Sequence, residues 1–217
     1  MQRKITISLG EYYHIYNRGV EKRKVFESKS NYERFLKLLY LANGSSPFRY
    51  DEVKRIPLNK IDRGGELVSI GAYVLMPNHF HILVKETTEG GVAKFMEKLT
   101  TGYSGYFNKL NSRVGSLFQG TYKAEHADND EYLKYLFSYI HLNPVKLVEH
   151  GWRENGIKDI FSAKRFLNQY RYSSYQDYIG VDREESLILN EKDFPDYFSE
   201  NFSFDEVSEW LLFNKSQ

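Results

Sequence analysis

Residues 66–86, ELVSIGAYVLMPNHFHILVKE, constrain the fold more than any other stretch. Two apolar runs of strand length, 66–76 and 79–86, are separated only by Pro77 and Asn78. Proline cannot donate to a sheet ladder, and with asparagine it marks a turn. The pattern predicts a hairpin, and a hairpin requires an antiparallel sheet. On the second strand His79 and His81 project from one face and Phe80 from the other, because successive side chains alternate. Two imidazoles on one face can ligate one metal ion, or they can be two hydrogen-bonded strand residues. Their spacing alone does not decide between these.

The remaining chain supplies helices around that hairpin. Residues 12–17 read as a strand that ends at Arg18-Gly19. Ser30 is placed to cap a helix over 31–42, with Phe35, Leu38, Leu39 and Ala42 at helical spacing. Residues 43–65 carry Asn43-Gly44-Ser45-Ser46-Pro47 and Arg63-Gly64-Gly65 and read as a long loop or insertion. A helix over 92–111 follows Gly90-Gly91, with Phe95, Leu99, Tyr103, Tyr106, Phe107 and Leu110 along its apolar stripe. Residues 122–127 give a short fourth strand. Asp128-Asn129-Asp130 caps a helix running to Leu142, where Asn143-Pro144 stops it. The order βαββαβ predicts an α+β fold of the ferredoxin-like (RRM-like) type with a central antiparallel sheet. That domain is expected over 1–150, with a helical C-terminal extension and acidic tail over 151–217.

The charge balance matters once it is divided along the chain. Residues 182–217 hold ten acids and three bases, so with an overall charge of +1 the rest of the chain carries +8. A basic body suits a polyanion, because lysine and arginine neutralise phosphates and release counterions; ordinary local imbalance is the plainer alternative. The acidic tail reads as an appendage that can be removed after residue 181 without touching the chemistry. With no cysteine, any metal must be held by histidine, carboxylate or amide groups. No apolar run is long enough to span a bilayer, and the opening Met1-Gln2-Arg3-Lys4-Ile5-Thr6 lacks the character of a signal peptide. A cytoplasmic protein is expected.

On the last helix Tyr139 and Asn143 stand four apart, hence on one face. If that helix covers the sheet, two imidazoles and an amide meet around one metal with a phenol beside it. Mixed nitrogen and oxygen ligands suit magnesium or manganese acting on a phosphate oxygen. A phenol is a capable nucleophile at phosphorus. With 18 tyrosines in the chain, however, any single one is more often core or surface than catalytic.

Three motifs in order carry a resemblance: Leu75-Met76-Pro77-Asn78-His79-Phe80-His81, then Gly115-Ser116-Leu117-Phe118-Gln119-Gly120, then Tyr139-Ile140-His141-Leu142-Asn143-Pro144-Val145. Together they resemble the single-tyrosine HUH transposases, and most of all the REP-associated tyrosine transposases. Residues 13–19 and 172–178 are similar to further family segments, so the likeness spans about 12–180. Phe118 stands where many relatives carry tryptophan. The resemblance implies that His79, His81 and Asn143 are ligands of magnesium or manganese and that Tyr139 is the nucleophile. It implies nicking of single-stranded DNA beside a folded hairpin, a REP-like palindrome, with a 5′-phosphotyrosine link and a free 3′-hydroxyl. Insertion-sequence relatives tend to be homodimers that exchange the tyrosine helix, and REP-associated ones tend to act as monomers.

Other residues carry weaker expectations. His126 matches a histidine of the family and is divided between a structural and an active-site role. Tyr122 and Tyr135 lack the motif around Tyr139, and His14 reads as a sheet or core residue. His141 should face away from Tyr139. Arg18, Lys22, Arg23 and Lys24 are expected to contact phosphate, and Lys94, Lys98, Lys109, Arg113 and Lys123 to line the DNA. A catalytically silent hairpin or single-strand binding module on the same sheet would need basic and aromatic surface but not His79, His81, Tyr139 and Asn143 together. A phosphohydrolase using water would not need the tyrosine.

Overall fold

The computed structural model describes residues 6–196 and 202–213. The opening stretch up to Ile5 and, in the acidic tail, Glu200 and Lys215 lie outside the described residues. The order is β1 (Tyr12–Arg18), α1 (Lys29–Ala42), α2 (Tyr50–Val53), β2 (Val68–Met76), β3 (His79–Glu86), α3 (Gly91–Leu110), β4 (Lys123–His126) and α4 (Asp130–Leu142). The strands lie in the order β2-β3-β1-β4 with every neighbouring pair antiparallel. This is the expected ferredoxin-like α+β sheet, with the predicted hairpin turning at Pro77-Asn78.

Both faces of the sheet are covered, and this divides the strand residues into two sets. On one face Ile15, Phe80, Ile82 and Val84 pack under α1 and α3, through Phe35, Leu39, Phe95, Leu99 and Tyr103. On the other, Ala72, Val74, Met76 and Leu83 pack against Leu133, Leu136, Phe137 and Ile140 of α4. All of β2 is buried. Since burying one large apolar side chain contributes about 1.5–3 kcal/mol, this hairpin is the anchor to which the site is attached. The start of α3 is held by Glu86, whose carboxylate accepts from the backbone N–H groups of Gly91 (3.1 Å) and Val92 (2.7 Å). A carboxylate there satisfies free amides and suits the positive end of the helix.

The 43–65 segment contains α2 and a single 3-10 turn at Leu58–Lys60. Lys98 clasps it, donating to the carbonyls of Gly44 and Ser46. Its ammonium thus ties this segment to α3.

The C-terminal part forms α5 (Trp152–Asn155), α6 (Ile160–Gln169), α7 (Tyr175–Tyr178) and α8 (Phe204–Phe213). It is no loose appendage. Leu142 and Val145 share one apolar cluster with Trp152, Ala163, Leu167 and Tyr175. Residues 172–190 then run back along the outer edge of β2. There the N–H of Leu75 donates to Tyr172 (2.9 Å), that of Ser174 to Tyr73 (3.0 Å) and that of Asn190 to Ile70 (2.9 Å). Covering this edge removes a row of unpaired backbone groups. Phe194 seats against Gly71, where an added Cβ would lie 2.6 Å from its ring and would have to displace it. The start of the acidic tail is therefore structural. Arg183 pairs with buried Asp177 and donates to Ser173 O (2.7 Å), and Ile188 lies in the main core. No helix among the described residues is long and apolar enough to cross a membrane.

Candidate active site

Register decides which side chains meet under α4. In the antiparallel pairs Tyr16 stands opposite His81 and Arg18 opposite His79. His14 stands opposite Glu125, and Tyr16 also opposite Lys123. Directly opposed residues share a face, so His14, Tyr16, Arg18, His79, His81, Lys123 and Glu125 all look toward α4. The last turn of α4 places Tyr139 over them, its ring 5.3 Å from that of His81 and 6.3 Å from that of His14. His79 and His81 lie edge to face at 5.0 Å. Asn143 caps the helix immediately before Pro144, and its amide adjoins both Tyr139 and His79. The four residues singled out from the sequence are thus brought together within one chain.

The donor atoms are poised for a ligand. His81 Nε2 and Asn143 Oδ1 are buried without a hydrogen-bond partner, although a buried polar atom is rarely left so. His79 Nδ1 is engaged by the side-chain oxygen of Asn78 at 2.6 Å, which leaves Nε2 as its free nitrogen. Burial, with Arg18 and Lys146 adding repulsion, pushes His79 down to about 4. Burial, with the neighbouring imidazoles and Arg153, holds His81 well below the usual imidazole range. Both rings are neutral at pH 7 and keep a lone pair, as a metal ligand must. Two imidazole nitrogens and an amide oxygen fit a divalent cation of the manganese or magnesium type. Among the described residues no group of three or more His, Cys, Asp or Glu is arranged to hold a metal.

Tyr139 differs from its neighbours on α4. Tyr132 donates its hydroxyl to Glu125 (3.1 Å), and the hydroxyl of Tyr135 accepts from Arg153 (2.9 Å). Tyr139 stacks on Tyr135 at 6.1 Å and lies under the Arg153 guanidinium at 5.0 Å. Burial raises its pKa, opposed by the charge of Arg153 and the Asn143 amide. Tyr122 is buried in the core beneath the opposite face. His141 points away, its Nε2 2.8 Å from Ser174 Oγ.

Several expectations change. His126 is not at the site. One residue of alternation turns it to the far face, where it stacks on Tyr13 at 5.1 Å and pairs with Glu11 at 2.8 Å. The residue beside it, Glu125, faces the site instead. His14 is more than a sheet residue, because its Nε2 lies 2.8 Å from His81 Nδ1. Glu125 accepts from Tyr16 (2.6 Å) and faces His14 Nδ1 at 3.6 Å. His14 first, then the Tyr16 and Tyr132 hydroxyls, draw its carboxyl down to about 2 against the effect of burial. Arg153 and Lys146 also went unread in the sequence. Neither lies in a local motif, and their positions depend on how the chain turns after Pro144.

Among the basic candidates, Arg18 and Lys123 are exposed on the site's face. Lys22 and Lys24 are exposed in the loop after β1, where Arg23 is half-buried beside Glu21. Lys94 and Lys109 are exposed on α3, across the sheet from Tyr139, and Arg113 donates to Asn108 Oδ1 at 2.8 Å.

The family model for IS200-like transposases matches residues 9–143, from the start of β1 to the Asn143 amide. No curated protein matches the chain. A solved REP-associated tyrosine transposase bound to a REP hairpin aligns with a TM-score of 0.48 at 14% identity, covering 94% of this chain and 99% of that one. The matched segment exceeds half of the sequence and holds β1, the histidine pair, Tyr139 and Asn143, and the chain belongs to the IS200-like transposase family.

Proposed function

We propose that this protein nicks and rejoins single-stranded DNA beside hairpins, with Tyr139 as nucleophile and magnesium or manganese held by His79, His81 and Asn143. A transposase family implies DNA binding and a nicking and joining activity, and this family generally depends on a divalent metal. The observation that carries the finer reading is the placement of the Tyr139 ring 5.3 Å from His81, beside two buried donor atoms that have no partner. The order of the three motifs, similar to that of REP-associated tyrosine transposases, supports a REP-like palindrome as substrate.

In this reading His79, His81 and Asn143 would hold the metal, which when bound would supply Lewis-acid polarisation of the scissile phosphate. Arg18, Lys146 and Arg153 supply positive charge around it, and Asn143 steadies the phenol. Tyr139 Oη forms a bond to phosphorus as the bond to the 3′-oxygen breaks. The phenol loses a proton and the leaving oxygen gains one, so the step is neutral overall. The phosphotyrosine retains the energy of the phosphodiester, and the reverse attack by a 3′-hydroxyl rejoins strands without ATP.

The test is a denaturation-resistant adduct formed with hairpin-bearing single-stranded DNA and Mn²⁺. Tyr139→Phe should still bind metal and DNA and give no adduct. Tyr135→Phe, whose hydroxyl is held by Arg153, should keep it. An adduct mapped to Tyr135, or undiminished nicking in excess chelator, would refute this assignment.

A further inference from the structure

We propose that Glu125 and His14 form a positioning relay that fixes the tautomer of His81 so that its Nε2 lone pair faces the metal. The proposal deepens the metal reading above and rests on it. The contacts determine where each proton sits. Glu125 Oε1 accepts from the Tyr16 hydroxyl at 2.6 Å and Oε2 from the Tyr132 hydroxyl at 3.1 Å, a pattern suited to an acceptor-only carboxylate. His14 Nδ1 is buried, faces Glu125 Oε2 at 3.6 Å and has no hydrogen-bond partner of its own. A carboxylate in that position keeps the His14 proton on Nδ1, which leaves Nε2 as an acceptor. Only one proton can lie on the 2.8 Å line between His14 Nε2 and His81 Nδ1, and it must then belong to His81. With Nδ1 protonated, the opposite nitrogen of His81 is bare, and this is the buried nitrogen that lacks a partner.

The relay also orients the ring. The His14 ring lies nearly parallel to that of His81 with centroids 4.9 Å apart, and to that of Tyr16 at the same separation, so the imidazole of His81 is flanked by His14 while Tyr139 meets it edge to face. Groups behind a metal ligand commonly set its tautomer and tune affinity by about 10–100-fold. Here the chain runs through a second imidazole before it reaches the carboxylate. His79 has its own separate orienting partner in Asn78, so the two ligands are prepared independently.

The experiment reads the tautomer directly. In metal-free protein labelled with ¹⁵N-histidine, His81 should show a protonated Nδ1 and an unprotonated Nε2. Glu125→Gln, which keeps the shape and can offer His14 an amide proton, should populate the opposite His81 tautomer and weaken Mn²⁺ binding by calorimetry about tenfold or more. Tyr132→Phe removes a hydrogen bond from Glu125 but not its charge, and should leave both readouts near wild type. A wild-type His81 protonated on Nε2 would overturn the relay. So would a Glu125→Gln protein with unchanged tautomer and unchanged Mn²⁺ affinity, or equal losses in Glu125→Gln and Tyr132→Phe. Failure of the wild type to bind Mn²⁺ at all would overturn the metal reading, with the tautomer still judging the relay.

Discussion

At Tyr139 two opposing influences meet. Burial holds the phenol in its protonated form, while Arg153 and Asn143 favour the phenolate. Removing Arg153 leaves burial unopposed by charge, so the phenol titrates at higher pH. Adduct formation in Arg153→Gln should therefore fall at neutral pH and recover toward alkaline pH, by about tenfold for each unit of displacement. A pH profile that keeps the wild-type shape would show that Arg153 does not act on the phenol. Residues of this kind also mark the limit of what can be read from the chain. The spacing of His79 and His81 is set by the strand and that of Tyr139 and Asn143 by the helix, so both pairs are visible as local geometry. His14, Glu125 and Arg153 reach the site through pairings between elements distant in sequence. Glu125 rather than His126 faces His81 because β4 pairs with β1 in one register, Tyr13 to His126 and His14 to Glu125. Nothing in residues 123–126 alone selects that register.

Among the elements, α4 has the most exacting task, since it must hold Tyr139 at its far end over a site built on three strands. It begins at a well-made cap. Asn129 Oδ1 accepts from the N–H of Tyr132 at 2.8 Å, and Asp130 and Glu131 occupy the first turn, where negative charge suits the helix. Asn129→Ala should cost about 1 kcal/mol of stability by chemical denaturation. Because the apolar face of α4 still packs on the sheet, the adduct should form at close to the wild-type rate; a large loss of rate would mean that the cap also aims Tyr139. The Asp-Asn-Asp signal made this start legible in the sequence. The start of α1 was legible only within two residues, because Ser28, not Ser30, is the cap. Buried Asn31 decides it, its Oδ1 accepting from the N–H groups of Glu27 (3.0 Å) and Ser28 (3.2 Å). Ser30 is left exposed inside the first turn.

For the molecule as a whole, the basic body and acidic tail of the sequence are not two bodies, because part of the tail closes the sheet. Composition showed the charge shift at residue 182 but not the return of the chain along β2, which depends on backbone pairing that no side-chain pattern announces. Arg183 is the clearest case. Its guanidinium meets the Asp177 carboxylate, whose side chain is only 2% exposed, and donates to the Tyr73 hydroxyl at 3.0 Å and to the carbonyls of Arg171 and Ser173 at 2.7 Å. Burial raises the Asp177 pKa and Arg183 lowers it, so the ion pair is what allows a charge to remain there. Removing one partner from such a pair leaves the other uncompensated, a loss of about 3–5 kcal/mol. Arg183→Ala should therefore be strongly destabilised in denaturant. Arg183→Ala with Asp177→Asn should regain part of the loss, because no unpaired charge is then buried. Ending the chain after residue 181 removes Arg183 together with Ile188 and Phe194, takes the Asn190 N–H away from Ile70 at the edge of β2 and empties the seat at Gly71. The shortened protein should unfold at lower denaturant than Arg183→Ala and bind hairpin DNA only as far as it remains folded. A truncated chain as stable as the full one would show that this strap adds nothing to the sheet.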